Sequence, residues 1–268
     1  MSSQSLYIIT GANRGFGEAL ALTIAKTIQT GLRFILIGRN LPGLQLVENQ
    51  LKQHSHIASV DLIAEPQGLD NASTTSQKIL AALEPLVSAQ ISDISTLALI
   101  NNAGSTGDLA QKVGDYCPDS IQSYVDMNIT SYITLVSGVL HLYQTKWKAE
   151  SRTLQLVNIS SLLAVQPFSN WGLYATGKSA RDMLLAVIAK ENQASSSIRT
   201  LSYAPGPLNN DMQRRVRETL DDPEQSALYN EMAEKGKLVS MDDSARKLVS
   251  LLQDNSFTSG AHLDYFDI

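Results

Sequence analysis

The chain alternates short, almost uninterrupted apolar runs with longer segments in which apolar residues recur at helical spacing. Apolar runs of strand length cover residues 6–9, 34–37, 59–62, 97–100, 154–159, 198–203 and 261–266. Such continuous runs predict strands that are covered on both faces of a sheet. The segments 15–28, 42–53, 73–86, 121–143 and 174–192 predict helices. Strands that alternate with helices predict parallel βαβ units, and therefore an α/β, Rossmann-like, doubly wound parallel sheet of about seven strands.

One segment interrupts this alternation before the last predicted strand. Residues 208–241 are polar and helical in pattern. We expect a helical insertion there that forms a lid over a substrate, and its length favours a mobile lid. A static pair of surface helices is the alternative. Because no linker, repeat or low-complexity tract divides the sequence, residues 1–268 are predicted to form one domain.

Composition narrows the class of protein further. The chain has 268 residues, of which 43% are hydrophobic, enough for a sizeable core. Its net charge of -5 argues against a nucleic-acid partner. The single cysteine, Cys117, excludes an intrachain disulfide, and the scattered histidines predict no metal site. No basic leader or membrane-length apolar run precedes the first strand, which favours a cytoplasmic protein without membrane association.

A glycine-rich turn follows the first predicted strand. The turn has a GxxxGxG pattern and is formed by Gly11, Asn13, Arg14, Gly15, Phe16 and Gly17. Glycines let the turn tighten and let the backbone approach a pyrophosphate, while the helix N-terminus offers unpaired N–H groups. Since the turn lies between a strand and a helix, it predicts dinucleotide binding. An ordinary strand-to-helix turn is the alternative.

The end of the second strand favours NADP (NADPH) over NAD. An acidic residue there would bind the ribose 2′-hydroxyl of NAD, but Arg39 and Asn40 occupy the position, and Arg14 lies in the glycine turn. Two guanidinium groups without a carboxylate suit a 2′-phosphate. Asp61 and Leu62, which we expect to end the third strand, are predicted to contact the adenine. A lone aspartate is equally typical of a helix cap.

A tyrosine and a lysine lie four residues apart in one predicted helix. Tyr174 and Lys178 therefore share a face of that helix. Ser160 and Ser161 follow a buried strand at the edge of the sheet where ligands bind. The pKa of an unperturbed tyrosine is about 10, and a neighbouring ammonium is expected to lower it toward neutrality. With a serine hydroxyl to stabilise a developing oxyanion and hydride from NADPH, this set predicts carbonyl reduction.

These features, in this order and together with the stretch 101–104, resemble the short-chain dehydrogenase/reductase family over the whole chain. The resemblance implies a single NADP-binding domain and a homodimer formed through the two long helices, 121–143 and 174–192. In the family the serine lies thirteen residues before the tyrosine, which selects Ser161. Asn128 matches a fourth catalytic residue, which holds a water that links Lys178 to solvent.

The same resemblance implies further contacts with the cofactor. Lys178 would also bond the nicotinamide ribose, and Tyr174 would contact the cofactor as well. The loop residues that flank the cofactor would be Asn102, Ala103, Gly104, Pro205, Gly206 and Leu208.

Four stretches, 13–17, 160–168, 203–208 and 259–267, resemble a narrower branch of the family that reduces pterins. In that branch an aspartate near the C-terminus anchors the pterin, and Asp264 matches it. A carboxylate accepts paired hydrogen bonds from an amino-pyrimidine edge, although Asp264 is also placed to cap a terminal loop. Trp171 and Met212 are candidate walls for a flat ring or, alternatively, core residues.

The predicted activity is therefore NADPH-dependent reduction of a side-chain or vicinal dicarbonyl on a pterin, as in tetrahydrobiopterin-type metabolism, with Ser161 and Tyr174 contacting the substrate. A general α-diketone (benzil-type) or carbonyl reductase is the alternative on the same machinery. A regulator that senses NADP without turnover is a more remote alternative, because such proteins typically lose the tyrosine or the lysine.

Overall fold

A single parallel sheet organises the chain in a computed structural model, which describes residues 4–68 and 72–268. Its seven strands are β1 (Gln4–Thr10), β2 (Leu32–Gly38), β3 (Ile57–Ala64), β4 (Ile94–Asn101), β5 (Thr153–Ile159), β6 (Ile198–Ala204) and β7 (Ala261–Asp264). They lie in the order β3-β2-β1-β4-β5-β6-β7. The order changes direction between β1 and β4, and the crevice outside the carboxyl ends of strands at such a point is where ligands bind.

The helices cover both faces of the sheet. They are α1 (Gly15–Thr27), α2 (Leu41–Leu51), α3 (Ala72–Ser88), α4 (Pro118–Val125), α5 (Ser131–Leu142), α6 (Gly172–Glu191), α7 (Asp211–Thr219), α8 (Pro223–Glu234) and α9 (Met241–Asp254). Tyr7 and Ile9 of β1 pack with α1, α2 and α9 in one apolar cluster. Leu6 and Ile8 point the other way and pack with α3, α5 and α6. Because both faces are buried, the strands are apolar without alternation, and the predicted doubly wound fold is confirmed.

The last strand and the longest predicted helix differ from the prediction in ways that have a clear physical cause. The last strand ends at Asp264 rather than at Phe266, because the Asp264 carboxylate accepts a hydrogen bond from the backbone N–H of Phe266 (3.0 Å) and caps a 3₁₀ turn over Tyr265–Asp267. The long helix predicted over 121–143 begins at Pro118 and contains π-helical turns at Asp126–Thr130 and Tyr143–Trp147. Periodicity alone does not reveal such turns, since they keep the chain helical.

The segment 208–241 contains α7 and α8, as its helical pattern predicts. Its two ends meet in a parallel bridge between Leu208 and Val239, and the backbone N–H of Asn209 donates to the Val239 carbonyl (2.9 Å). The segment that carries α7 and α8 therefore starts and ends at the same place, the bridge between Leu208 and Val239. Whether this segment moves as a lid stays a prediction.

Across residues 4–68 and 72–268, no helix combines the length and apolarity needed to cross a bilayer. In the same ranges, no group of three or more metal-binding side chains is placed to hold an ion.

Candidate active site

The glycine turn between β1 and α1 forms a cradle that leaves no room for a side chain at Gly11 or Gly17. A Cβ at position 17 would lie 2.3 Å from the carbonyl oxygen of Gly11, and Gly11 itself has a φ of 68°, which favours glycine. Asn102, which follows β4, braces this turn. Its Nδ2 donates to the carbonyl of Thr10 (3.1 Å), and its backbone N–H donates to Thr10 Oγ1 (3.0 Å). A backbone cradle at the N-terminus of α1 fits a pyrophosphate.

The two arginines predicted to bind a 2′-phosphate lie at the edges of this cradle. Arg14 immediately precedes α1 and forms a solvent-exposed ion pair with Asp211 at the start of α7 (3.3 Å). Arg39 follows β2 and is exposed, with its aliphatic stem against Gly68. Asn40 uses its side chain to cap α2, accepting from the backbone N–H of Gly43 (2.7 Å). An exposed ion pair is weak, so Arg14 is available to an anionic ligand.

The prediction that Asp61 ends the third strand is wrong. β3 continues to Ala64, and Asp61 lies in mid-strand, opposite Ile35. Its carboxylate accepts a hydrogen bond from Gln90 (3.3 Å). The acidic residue that follows the strand is Glu65, whose backbone N–H donates to the Gly38 carbonyl (3.0 Å). The predicted contact of Asp61 with the adenine depended on a position at the strand end, which Asp61 does not have. Leu62 is partly buried and packs against the apolar core.

The structure brings Ser161, Tyr174 and Lys178 together at the carboxyl end of β5. The Lys178 ammonium lies 5.4 Å from the centre of the Tyr174 ring and donates to the carbonyl of Ile159 (2.5 Å). Ser161 lies close enough to Tyr174 for its hydroxyl to lower the pKa of the phenol. Ser160, the neighbouring hydroxyl, instead donates to Asp182 (2.8 Å). Geometry therefore separates the two serines in the way that the family spacing implies.

Burial dominates the electrostatics of this pair. It raises the pKa of Tyr174 to about 12, although the Ser161 hydroxyl and the positive charge of Arg181 both lower it. Burial, and then repulsion by Arg181, lower the pKa of Lys178 to about 7. The pKa of Tyr174 is therefore raised in the protein alone and not lowered toward neutrality as expected. Burial of the phenolate raises the pKa by more than the neighbouring groups lower it.

Asn128 lies in the first π-helical turn and is buried. Its Oδ1 accepts from the backbone N–H of Ser105 (2.9 Å), and its Nδ2 donates to the carbonyl of Tyr124 (3.2 Å). Its backbone carbonyl accepts from Nε of Arg181 (2.6 Å). Asn128 thus fixes the loop after β4 through its side chain. Its predicted role with a water stays a prediction.

Two functional candidates, Arg181 and Asp182, escaped prediction from the sequence. Both are placed on the inner side of α6, and Asp182 accepts hydrogen bonds from Asn158 (2.8 Å), Ser160 (2.8 Å) and Nδ1 of His262 (2.7 Å). Asp182 therefore ties α6 to β5 and β7. The signal in the sequence is their spacing, three and four residues after Lys178, which places them on the same helical face.

The residues predicted to bind substrate lie on three elements: Asp264 ends β7, Trp171 immediately precedes α6, and Met212 lies on α7. Asp264 is buried at the carboxyl end of β7, opposite Ala204, which precedes the turn Pro205-Gly206. Its carboxylate caps the terminal turn, which is the second role that the sequence allowed for Asp264. Trp171 is buried, and its ring lies 5.3 Å from that of Tyr174, whereas Met212 on α7 is 41% exposed.

The helical insertion covers the start of α6. Trp171 joins Leu109, Leu163, Val216 and Leu220 in a small apolar cluster against which Tyr174 packs. In addition, Nε1 of Trp171 donates to Gln225 of α8 (3.0 Å). The insertion therefore covers the Tyr174 ring from one side.

A nucleotide cradle, a tyrosine and lysine on one helix, and a strand-end serine define the class of protein. The sequence profile of the short chain dehydrogenase family matches residues 5–221. The chain belongs to the short-chain dehydrogenase/reductase family, whose members are oxidoreductases that bind a nicotinamide cofactor and act on alcohol and carbonyl groups.

Individual relatives narrow the comparison. The chain is 40% identical to the sepiapterin reductase of Meriones unguiculatus over 263 residues, which cover 97% of this chain and 95% of the relative. It is 26% identical over 255 residues to a benzil reductase ((S)-benzoin forming) of Bacillus cereus, covering 94% and 96% of the two chains. Among solved structures, a short chain dehydrogenase of Shigella flexneri complexed with NADP matches with a TM-score of 0.75 at 24% identity, covering 98% of this chain and 97% of the other.

Proposed function

We propose that this protein is an NADPH-dependent reductase of a pterin carbonyl of the sepiapterin type. The observation that carries the proposal is the convergence of Ser161, Tyr174 and Lys178 beside a glycine cradle, in a chain that aligns over 97% of its length with a sepiapterin reductase.

The turn at Gly11 and Gly17 is too tight for a Cβ at either position, and a tight glycine turn before a helix N-terminus fits the pyrophosphate of a nicotinamide dinucleotide. Arg14 and Arg39 are the residues that would hold a 2′-phosphate, which favours NADPH over NADH. Lys178, the loop at Asn102–Gly104 and the turn at Pro205–Leu208 would flank the nicotinamide half. When bound, the cofactor supplies the hydride that reduces the carbonyl carbon.

The side chains of the protein supply position and a proton. Ser161 donates a hydrogen bond to the carbonyl oxygen, and Tyr174 transfers its phenolic proton to that oxygen as it gains negative charge. The C=O double bond becomes a C–OH group, and the phenolate is reprotonated afterwards. Lys178, fixed on the Ile159 carbonyl, stands beside the ring, where its ammonium stabilises the phenolate while it is charged.

Asp264 is the group that would distinguish a pterin from other carbonyl compounds. It is buried next to the turn that follows β6, and a carboxylate there would accept paired hydrogen bonds from an amino-pyrimidine edge. Trp171 and Met212 would contact the flat ring system.

The deciding experiment measures NADPH consumption with sepiapterin, benzil and a simple aliphatic ketone at matched concentrations. The proposal expects the highest kcat/KM for sepiapterin. Comparable efficiency with benzil, or preference for it, would favour an α-diketone reductase, the function that the similarity to benzil reductase supports. No turnover of any carbonyl would contradict both.

The proposed assembly is a homodimer through the outer faces of α5 and α6. Large apolar side chains are exposed on both helices: Ile133 is 40% exposed, Val187 44% and Met183 64%. Exposed apolar residues on neighbouring helices are typical of an interface between subunits.

A further inference from the structure

The indole of Trp171 is hydrogen-bonded to a side chain of the helical insertion. Trp171 immediately precedes α6, is 4% exposed, and donates from Nε1 to Oε1 of Gln225 on α8 (3.0 Å). An indole nitrogen can only donate, and leaving a buried N–H without an acceptor is unfavourable. Gln225 supplies the acceptor that Trp171 needs in this orientation.

The carboxamide of Gln225 is itself fixed at the start of α8. Its Nε2 donates to Oδ2 of Asp222 (2.9 Å), and the backbone N–H of Gln225 donates to Oδ1 of the same carboxylate (3.0 Å). Nε2 also lies 3.5 Å from the carbonyl oxygen of Ser169. Because an ionised carboxylate only accepts and an indole only donates, the amide can be oriented in one way. The cap of α8 therefore directs Oε1 of Gln225 toward Trp171.

The backbone around Trp171 is fixed independently of the insertion. Asn170 is buried and has a φ of 67°, in the left-handed region. Gly172 packs against the loop after β4, where an added Cβ would lie 2.7 Å from the Tyr116 hydroxyl. That hydroxyl also accepts from the backbone N–H of the residue after Gly172 (3.3 Å). With its backbone fixed, Trp171 retains the rotation of its side chain, and the bond to Gln225 limits that rotation.

The orientation of the indole matters for the active site. The Trp171 and Tyr174 rings lie 5.3 Å apart at an interplanar angle of 58°. Tyr174 donates the proton in the proposed function, so a substrate carbonyl at Tyr174 is placed near the indole. A flat ring system bound there would contact Trp171, whereas a small diketone has no ring to place against it.

We propose that Gln225 is a positioning residue that determines specificity, because its carboxamide fixes the Trp171 indole as a wall for a flat ring beside Tyr174. The inference rests on the proposed function, in which Trp171 contacts the substrate. Neither hydride nor proton transfer passes through Gln225. Its substitution should therefore weaken the binding of a ring-bearing substrate and leave the chemical step unchanged.

Steady-state kinetics with sepiapterin and a small diketone test the proposal. Gln225→Leu is similar in size and offers no acceptor, and α8 contains no fully buried residue, so the variant is expected to fold. It should raise the KM for sepiapterin by about fivefold, the effect of losing one buried hydrogen bond, with kcat within about twofold of the parent. The KM for the diketone should change by less than about twofold. Gln225→Asn, whose shorter amide does not reach the indole, is a second variant with the same expectation.

A double-mutant cycle shows whether the effect passes through the indole. Trp171→Phe keeps an aromatic ring and lacks the N–H. In this background Gln225→Leu has no hydrogen bond to remove, so the KM for sepiapterin should rise no further. A residue that merely stabilises α8 would have the same effect in both backgrounds.

Fluorine NMR reports on the indole without substrate or cofactor. The chain contains two tryptophans, so biosynthetic replacement by a fluorinated tryptophan gives two signals, and Trp171→Phe identifies that of Trp171. Gln225→Leu should move this signal and leave that of Trp147 in place. Trp147 provides a matched control, because it is also buried and donates from Nε1 to Oγ of Ser88 (3.0 Å). Ser88→Ala should leave the Trp171 signal and the KM for sepiapterin unchanged.

Several outcomes would overturn the proposal: a KM for sepiapterin within about twofold of the parent in both Gln225 variants, an unmoved Trp171 signal, or an equal rise of the KM in Ser88→Ala. A rise in Gln225→Leu that persists in the Trp171→Phe background would also overturn it. A parent protein that reduces no carbonyl compound contradicts the proposed function. A parent that reduces sepiapterin, with Gln225 variants that match it, contradicts this inference alone.

Discussion

Nδ1 of His262 lies 2.7 Å from a carboxylate oxygen of Asp182, so the last strand of the sheet is bonded to the helix that carries Tyr174 and Lys178. The hydrogen bond with Asp182 raises the pKa of His262. Burial would raise the pKa of Asp182, but the hydrogen bonds from His262 and Ser160 outweigh it and the net direction is down. Both shifts favour an ion pair between His262 and Asp182, to which Ser160 also donates a hydrogen bond.

This pair predicts that stability depends on pH above neutrality. Because the folded-state pKa of His262 is raised above 6.5, its contribution is complete below that value and is lost as pH rises through the folded pKa. We expect His262→Gln to cost about 1.5–3 kcal/mol near pH 6, the size of a hydrogen bond to a charged group, and less at higher pH. Urea unfolding of both proteins from about pH 6 to about pH 9 measures this. A cost that does not shrink with pH would contradict the ion pair.

Tyr174→Phe should lower kcat by about 100-fold or more while NADPH still binds, since removal of the proton donor costs that much. Steady-state kinetics give kcat, and NADPH fluorescence titration gives the affinity. Turnover at half the parent rate would refute the role of the phenol. Ser160→Ala serves as a comparison, because Ser160 is bonded to Asp182 and not to Tyr174.

Arg39→Ala should raise the KM for NADPH by about tenfold or more, because a charge-assisted hydrogen bond to a phosphate is lost. The KM for NADH, which lacks that phosphate, should change little and is the internal control. Equal changes with both cofactors would show that Arg39 acts on the fold and not on the 2′-phosphate.

Asp264→Ala should raise the KM for sepiapterin far more than the KM for a small diketone, if Asp264 anchors a pterin. The variant also removes the cap of the terminal turn, which costs about 1 kcal/mol. Asp264→Asn keeps a capping side chain without the charge. It should likewise raise the KM for sepiapterin more than the KM for the diketone, with a smaller loss of stability. Equal effects on the two substrates would favour the general reductase.

Met183→Glu should shift the protein toward the monomer, because it places a charge in the proposed interface on α6. Leu46 on α2 has the same exposure of 64%, so Leu46→Glu is a matched control that should leave the assembly unchanged. Sedimentation velocity distinguishes the two species. A monomeric parent protein, or a dimer that survives Met183→Glu, would contradict the interface.

The sequence predicts best what depends on local spacing. Tyr174 and Lys178 meet because four residues make about one helical turn, and the glycine turn is recognisable because a strand precedes it and a helix follows. The number of strands and the parallel, doubly wound sheet follow from the alternation of apolar runs with helices. These features require no knowledge of which distant residues come together.

The features that the sequence did not reveal depend on tertiary partners. Asp61 lies in mid-strand because β3 extends to Ala64, a boundary that the apolar pattern leaves open. Arg181 and Asp182 form an adjacent pair of opposite charges, which on a helix is typical of a solvated face. Only the fold shows that both are directed inward, toward Asn128 and His262.

Two turns of α6 carry the phenol, the amine, the guanidinium and the carboxylate of this site within nine consecutive positions, from Tyr174 to Asp182. Two of the groups proposed to select the substrate, Asp264 and Met212, lie elsewhere, on β7 and on the insertion that is closed by Leu208 and Val239. If these roles hold, substitutions on the outer surface of the insertion would alter which carbonyl compounds bind and leave the groups of α6 in place, whereas Val216 and Leu220, which pack in the same cluster as Tyr174, would have to be kept.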